Sequence, residues 1–181
     1  LGGGKGIPMG VKDERTPSYS LPEGTPIASL AKQGNFVRMR FSPDGKTLAV
    51  GDNECELRLW DVAKRKLERA VAYKSPIAGV DWAPDGASLF VALQGGRVEV
   101  LDRRGTPLRP WKHPGVLTDL RVLSSNVVAV MTSKHLALAD AATGRVLAKL
   151  ANKKGAYPPA IADVRGNLIL TRGPATIVRV V

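Results

Sequence analysis

A segment of about 40 residues recurs along this chain, and few folds accommodate such a period. Its clearest copy runs from Phe36 to Ala72. Val37, Met39 and Phe41 alternate with Arg38 and Arg40; Leu48 and Val50 follow, and then Leu57, Leu59 and Val62. Alternation with a period of two over short runs is the mark of β-strand. Ser42-Pro43-Asp44-Gly45 separates the first two runs. Pro presets φ for a tight turn and Gly accepts the left-handed exit, so a hairpin follows from the residues themselves. Asp52-Asn53 punctuates the second turn, and Lys66 to Ala72 supplies a fourth run. The unit reads as four short antiparallel strands, the content of one propeller blade.

The unit comes back. Ile77-Ala78-Gly79-Val80-Asp81-Trp82-Ala83-Pro84-Asp85-Gly86 repeats the first strand and its turn, starting 41 residues after Phe36. Leu57-Arg58-Leu59-Trp60-Asp61 recurs as Val98-Glu99-Val100-Leu101-Asp102 and then as Leu136-Ala137-Leu138-Ala139-Asp140, at spacings of 41 and 38 residues. In the turns closed by Gly45 and Gly86 and in the strand end Leu59-Trp60-Asp61, the chain resembles the WD-repeat β-propeller family. The likeness spans Ser18 to Val181 and is strongest from Phe36 to Asp102. It implies an all-β fold, a β-propeller of four-stranded antiparallel blades. It also implies structural roles for Trp60, Asp61, Asp52, Asp44, Gly45, Asp85 and Gly86.

The resemblance is to a divergent member. The family often uses a His before the first strand, a Ser or Thr in the second, an Asp in the second turn and the Trp of the third. Trp60 matches the last of these and Asp52 stands at the turn. Lys32-Gln33-Gly34 offers no His, Leu48-Ala49-Val50-Gly51 is apolar, and the later units lack the Trp. Blade rigidity is therefore expected to come mainly from apolar packing.

In chain order, 1–17 is an irregular Gly-rich segment, with at most a weak strand at Ile7 to Val11. A partial unit at 18–35 is expected to hold strands at Tyr19 to Leu21 and Pro26 to Leu30. Full units follow at 36–75, 76–115 and 116–154, and a partial one at 155–181, with strands near Ile161 to Val164, Leu168 to Thr171 and Thr176 to Val180. Helix content should be close to nil. Closed propellers usually have about four to eight blades, so this set describes an incomplete arc with two uncovered apolar faces. Three outcomes stay open: a piece of a longer polypeptide, a ring completed by a second copy or another chain, or a small ring closed by the two partial units. The first two are favoured. The absence of an initiator Met fits a processed or excised chain.

Charge is the next constraint. The chain has 27 Lys and Arg against 16 Asp and Glu, a net of +11. Such an excess favours acidic partners and polyanions. The basic residues are spread, with small clusters at Lys64-Arg65-Lys66, Arg103-Arg104 and Lys153-Lys154 in expected turns. Scattered solvated charge accounts for most of them. One constellation is sharper. Arg40, Asp81 and Arg121 occupy equivalent positions on the innermost strands, as do Arg38, Gly79 and Asp119. Opposite charges on neighbouring blades would form a neutralised row lining a wet channel, or a site for an anionic group. A lone buried Arg is costly, so these residues should be paired or solvated. Arg103, Arg104, Arg109 and Trp111 complete the candidate contact residues, although blade packing is the favoured reading of Trp111.

The residues give little support for catalysis. There is no Gly-x-Ser-x-Gly elbow, His-Glu-x-x-His or phosphate loop. Cys55, the sole cysteine, cannot form an internal disulfide. His113 and His135 have no neighbouring Cys or acid cluster, so no zinc site or other cofactor is expected. No apolar run is long enough for a membrane-spanning helix, and no signal peptide is evident, so a cytoplasmic location is expected. The composite expectation is a non-catalytic protein-protein interaction scaffold. The alternatives are a polyanion or nucleic-acid binding surface, and an accessory domain of a larger enzyme.

Overall fold

The computed structural model describes residues 37–151, together with the strands Thr16–Tyr19 (β1), Pro26–Leu30 (β2), Leu168–Leu170 (β15) and Ile177–Arg179 (β16). The chain divides into two compact units, Leu1–Gly34 and Asn35–Val181. In the first, β1 and β2 pair antiparallel, with an irregularity between Ser18 and Tyr19. The leading strand meets the expected Tyr19 to Leu21 at Tyr19, which pairs with Pro26; Ser20 and Leu21 lie outside the described residues. The expectations for Ile7 to Val11, Ile161 to Val164 and Lys153-Lys154 lie outside the described residues.

The second unit holds three four-stranded antiparallel meanders. Blade 1 comprises β3 (Val37–Phe41), β4 (Thr47–Asp52), β5 (Glu56–Asp61) and β6 (Lys66–Ala72). Blade 2 comprises β7 (Ile77–Trp82), β8 (Ser88–Leu93), β9 (Arg97–Asp102) and β10 (Pro107–Lys112). Blade 3 comprises β11 (Leu117–Val122), β12 (Val127–Thr132), β13 (His135–Asp140) and β14 (Val146–Ala151). A hairpin of β15 and β16 completes the described strands, and there is no helix among the described residues.

Turn chemistry explains the repeat. Gly45 and Gly86 sit at φ 71° and 69°, in the left-handed region that glycine enters without strain. The Gly45 amide donates to the Ser42 carbonyl at 2.8 Å and the Gly86 amide to the Ala83 carbonyl at 2.9 Å. The Asp44 carboxylate accepts from the Lys46 amide and the Asp85 carboxylate from the Ala87 amide. A second device closes each third-to-fourth strand turn. Asp61 accepts from the Lys64 amide, Asp102 from the amides of Arg104 and Thr106, and Asp140 from those of Ala142 and Thr143. This is why an Asp ends the third strand of every unit.

The core lies between blades. Ala49, Leu57 and Leu59 of blade 1 meet Val80, Trp82, Leu89 and Val91 of blade 2. Phe90, Ala92, Val98 and Val100, on the opposite face of blade 2, meet Leu120, Val122, Val128 and Val130 of blade 3. Strand β8 is apolar on successive residues because both of its faces are covered. Each large side chain fully buried this way stabilises by about 1.5–3 kcal/mol. The outermost strands β6 and β10 are mostly exposed, as edge positions should be.

A charged cluster on the innermost strands

The inner strands β3, β7 and β11 stand next to one another. Their approach is close because Gly79 has no side chain: a Cβ there would sit 2.7 Å from the Leu120 amide nitrogen and 2.8 Å from Asp119 Oδ1. The equivalent positions Arg40, Asp81 and Arg121, and Arg38 and Asp119, are thereby gathered in one place.

Each charge has a distinct arrangement. Arg38 donates from Nε to the Ala78 carbonyl at 2.9 Å, tying β3 to β7. Arg40 donates from Nη1 to the Met39 carbonyl, and its Nε stands 3.8 Å from Asp81 Oδ1, an ionic contact longer than a hydrogen bond. The oxygens of Asp81 are held by backbone. Oδ1 accepts from the Trp82 amide at 3.1 Å and Oδ2 from the Val122 amide of blade 3 at 2.9 Å. Arg121 Nη1 is shared between the Leu120 carbonyl at 2.8 Å and Asp119 Oδ1 at 3.2 Å. Asp81 and Arg121 are 15% and 16% exposed, whereas Arg40 is 38% exposed and open to an approaching group. Burial raises the Asp81 carboxyl, against the opposing pull of the Val122 amide, Arg121 and Arg40. Burial, and then the nearby Arg121 guanidinium, lower the pKa of Arg40. The row is paired only in part.

The other expected contact residues are dispersed. Arg103 Nη2 meets Asp44 Oδ2 at 2.6 Å, clamping the β9–β10 turn to the β3–β4 turn of the neighbouring blade. The Ser42 hydroxyl and Arg103 hold the Asp44 carboxyl well below the ordinary carboxylate range. Arg103, Arg104, Arg69, Glu68, Leu59 and Thr47 line an open groove of about 520 Å³ between blades 1 and 2. Arg109 is exposed on β10. Trp111 corrects the expectation of a rim contact. It is 6% exposed in the core between blades 2 and 3, and Gly144 lies flat against its ring. On β10 it is the sole buried residue, because its side of the strand turns inward there.

Two arrangements were not anticipated. Asp52 is fully buried and pairs with Arg58 Nη1 at 2.8 Å while also accepting from the Glu56 amide. An Arg inside the apolar run of β5, six residues after a turn Asp, was the available signal. The rings of His113 and His135 face one another at 5.3 Å. Their separation of 22 positions in the chain gave no hint of it. Among the described residues no group of three or more His, Cys, Asp or Glu is arranged to hold a metal ion. No helix among them is long and apolar enough to cross a membrane.

Comparisons with known proteins agree with this architecture. No family model matches the chain. The target of rapamycin complex subunit LST8 of Mus musculus is 29% identical over 89 residues, 46% of this chain and 27% of that protein. Coronin-7 of Rattus norvegicus is 33% identical over 79 residues, 42% of this chain and 9% of that protein. The chain thus matches about a quarter of the first relative's length and less of the second's. Among solved structures, Kuenenia stuttgartiensis hydrazine synthase matches 67% of this chain and 36% of that one, with a TM-score of 0.60 at 20% identity. The β-propeller domain of Myceliophteria thermophila Cps50 (Swd1) matches 66% of this chain and 40% of that one, with a TM-score of 0.56 at 20% identity. WD-repeat proteins of this kind are generally protein-interaction scaffolds. By its repeat, its blades and its relatives, the chain has a β-propeller fold similar to that of divergent WD-repeat proteins, and its described sheets make an incomplete array.

Proposed function

We propose that this chain is a non-catalytic protein-interaction scaffold, with its contact surface centred on the inner-strand cluster of Arg38, Arg40, Asp81, Asp119 and Arg121. The observation that carries the reading is the gathering of five charged side chains from three successive blades, on strands fixed by inter-blade packing. Such a preformed surface recognises a partner with little reorganisation. The LST8 relative is by name a subunit of a complex, which agrees with a role in assembly. A protein partner or a second copy that completes the propeller would also cover Met39 and Phe41, which are 39% and 60% exposed on blade 1.

The polyanion reading draws on the net charge of +11. It is less favoured because basic turn residues have acidic neighbours: Lys64 pairs with Asp61, and Arg103 with Asp44. Cross-linking mass spectrometry of the full chain with proteins from its own source, alongside binding of a single-stranded oligonucleotide at two salt concentrations, separates the readings. Cross-links clustered near β3, β7 and β11 support the scaffold. Oligonucleotide binding that falls steeply with salt, without specific protein cross-links, overturns it.

A further inference from the structure

We infer that the inner-strand cluster is a preformed seat for a single carboxylate, presented by an acidic residue of a protein partner. The inference rests on the scaffold reading and names the chemistry of its contact.

The cluster has three guanidinium groups and two carboxylates, which leaves one positive charge. Its carboxylates are committed elsewhere. Asp81 spends both oxygens on the amides of Trp82 and Val122, and Asp119 Oδ1 accepts from the Leu120 amide as well as from Arg121. The arginines are less satisfied. Arg40 makes one hydrogen bond, through Nη1 to its own neighbour's carbonyl, and keeps Asp81 at 3.8 Å. The Arg38 bond uses Nε, which leaves both terminal nitrogens free to donate. Arg121 likewise uses only Nη1. Arg40 and Arg121 also repel one another across the β7 strand: burial first and then the Arg121 charge lower the pKa of Arg40. An anion placed between them would relieve that repulsion and collect donors that the fold leaves unused.

The chemistry of the anion follows from the charge. A planar guanidinium fork matches a carboxylate in two parallel bonds. A residue of one positive charge suits a monoanion, while Asp81 and Asp119 would repel the second charge of a phosphate dianion. Backbone tethers on Arg38, Arg40 and Arg121 fix the forks in advance, so little side-chain freedom is lost on binding.

The test uses the full chain and two simple probes. In the first, acetate is titrated while NMR follows the arginine Nε–H signals. Saturable shifts at Arg40 and Arg121, with none at Arg103 or Arg104, are expected. Equal, unsaturated drifts at all four overturn the seat. In the second, a fluorescein-labelled hexaglutamate peptide is bound, with hexaglutamine as its neutral control. Arg40→Gln and Arg121→Gln should each weaken hexaglutamate binding at least tenfold, while Arg103→Gln with Arg104→Gln changes it less than twofold. Equal losses in both sets would mean diffuse attraction and sink the proposal. Stronger competition by inorganic phosphate or by an oligonucleotide than by acetate would also sink it. The acetate titration is made on the unmodified chain, so it decides even where a variant fails to fold. Protein cross-links that persist in Arg40→Gln would remove the carboxylate seat and leave the scaffold reading standing.

Discussion

His113 and His135 show how much a single side chain can depend on its surroundings. His113 is 3% exposed, and neither of its ring nitrogens, nor Nε2 of His135, has a hydrogen-bond partner among the described residues. Nδ1 of His135 lies 3.2 Å from the Thr132 hydroxyl. Burial lowers the pKa of both rings; for His113 the neighbouring His135 and then Lys149 add to it, and for His135 Lys149 does. The fold thus favours the neutral imidazoles. The stability they contribute is present above the ordinary histidine pKa of about 6.5 and is lost as pH falls through the depressed values. Thermal unfolding should therefore show a Tm that drops between pH 7.5 and pH 5, with a shallower drop in His113→Phe. A Tm that rises on acidification would contradict this. Gly144 offers a second measurement. It holds φ 73° and its missing Cβ would lie 2.5 Å from the Trp111 ring. Gly144→Ala should destabilise by about 1–3 kcal/mol from overpacking, read by urea unfolding. Trp111→Ala should cost about 3–5 kcal/mol, as a buried aromatic rather than a surface contact would.

The strand is where sequence and structure correspond best. Alternation, Pro-Asp-Gly turns and the terminal Asp of each third strand are local signals, and the four strands they imply for each full unit are the four strands of blades 1 to 3. Strand β10 was readable as a strand but not by face. Pro107 and Pro110 interrupt its pattern, and its inward residue is chosen by packing from blade 3. The candidate cluster was legible as a set of equivalent positions, because a repeat carries register. Its bonding was not legible, because β7 and β11 each contain an irregularity, near Ala78 and Thr118, that re-aims side chains. Between strands of different blades, Gly79 is the sharpest determinant. Gly79→Val should force β7 from β11, since the clash is with backbone, and should lower stability by at least about 2 kcal/mol in urea unfolding. Asp81→Ala removes the acceptor for the Val122 amide and should cost about 1–3 kcal/mol, with faster hydrogen exchange at that amide. Unchanged exchange there would show that the bond does not hold the two blades together.

At the scale of the molecule, the exposed apolar residues of blade 1 set the behaviour in solution. Met39 and Phe41 alternate with Arg38 and Arg40 on β3 and are exposed, whereas Leu48, Val50 and Trp60 on the same face are buried. Light scattering of the purified chain should show association that weakens in Phe41→Ser, and a monomer at all concentrations would argue against it. The three tryptophans carry a separate consequence. Trp60 lies on the face of blade 1 turned away from blade 2, Trp82 donates from Nε1 to the Arg40 carbonyl where blades 1 and 2 meet, and Trp111 sits where blades 2 and 3 meet. Each of the two described seams thus holds one indole, and the third lies on the outer face of blade 1. Replacing Trp60 and either seam tryptophan with phenylalanine turns the one that is left into a lamp for its own junction, so emission spectra could follow the peeling of these blades joint by joint.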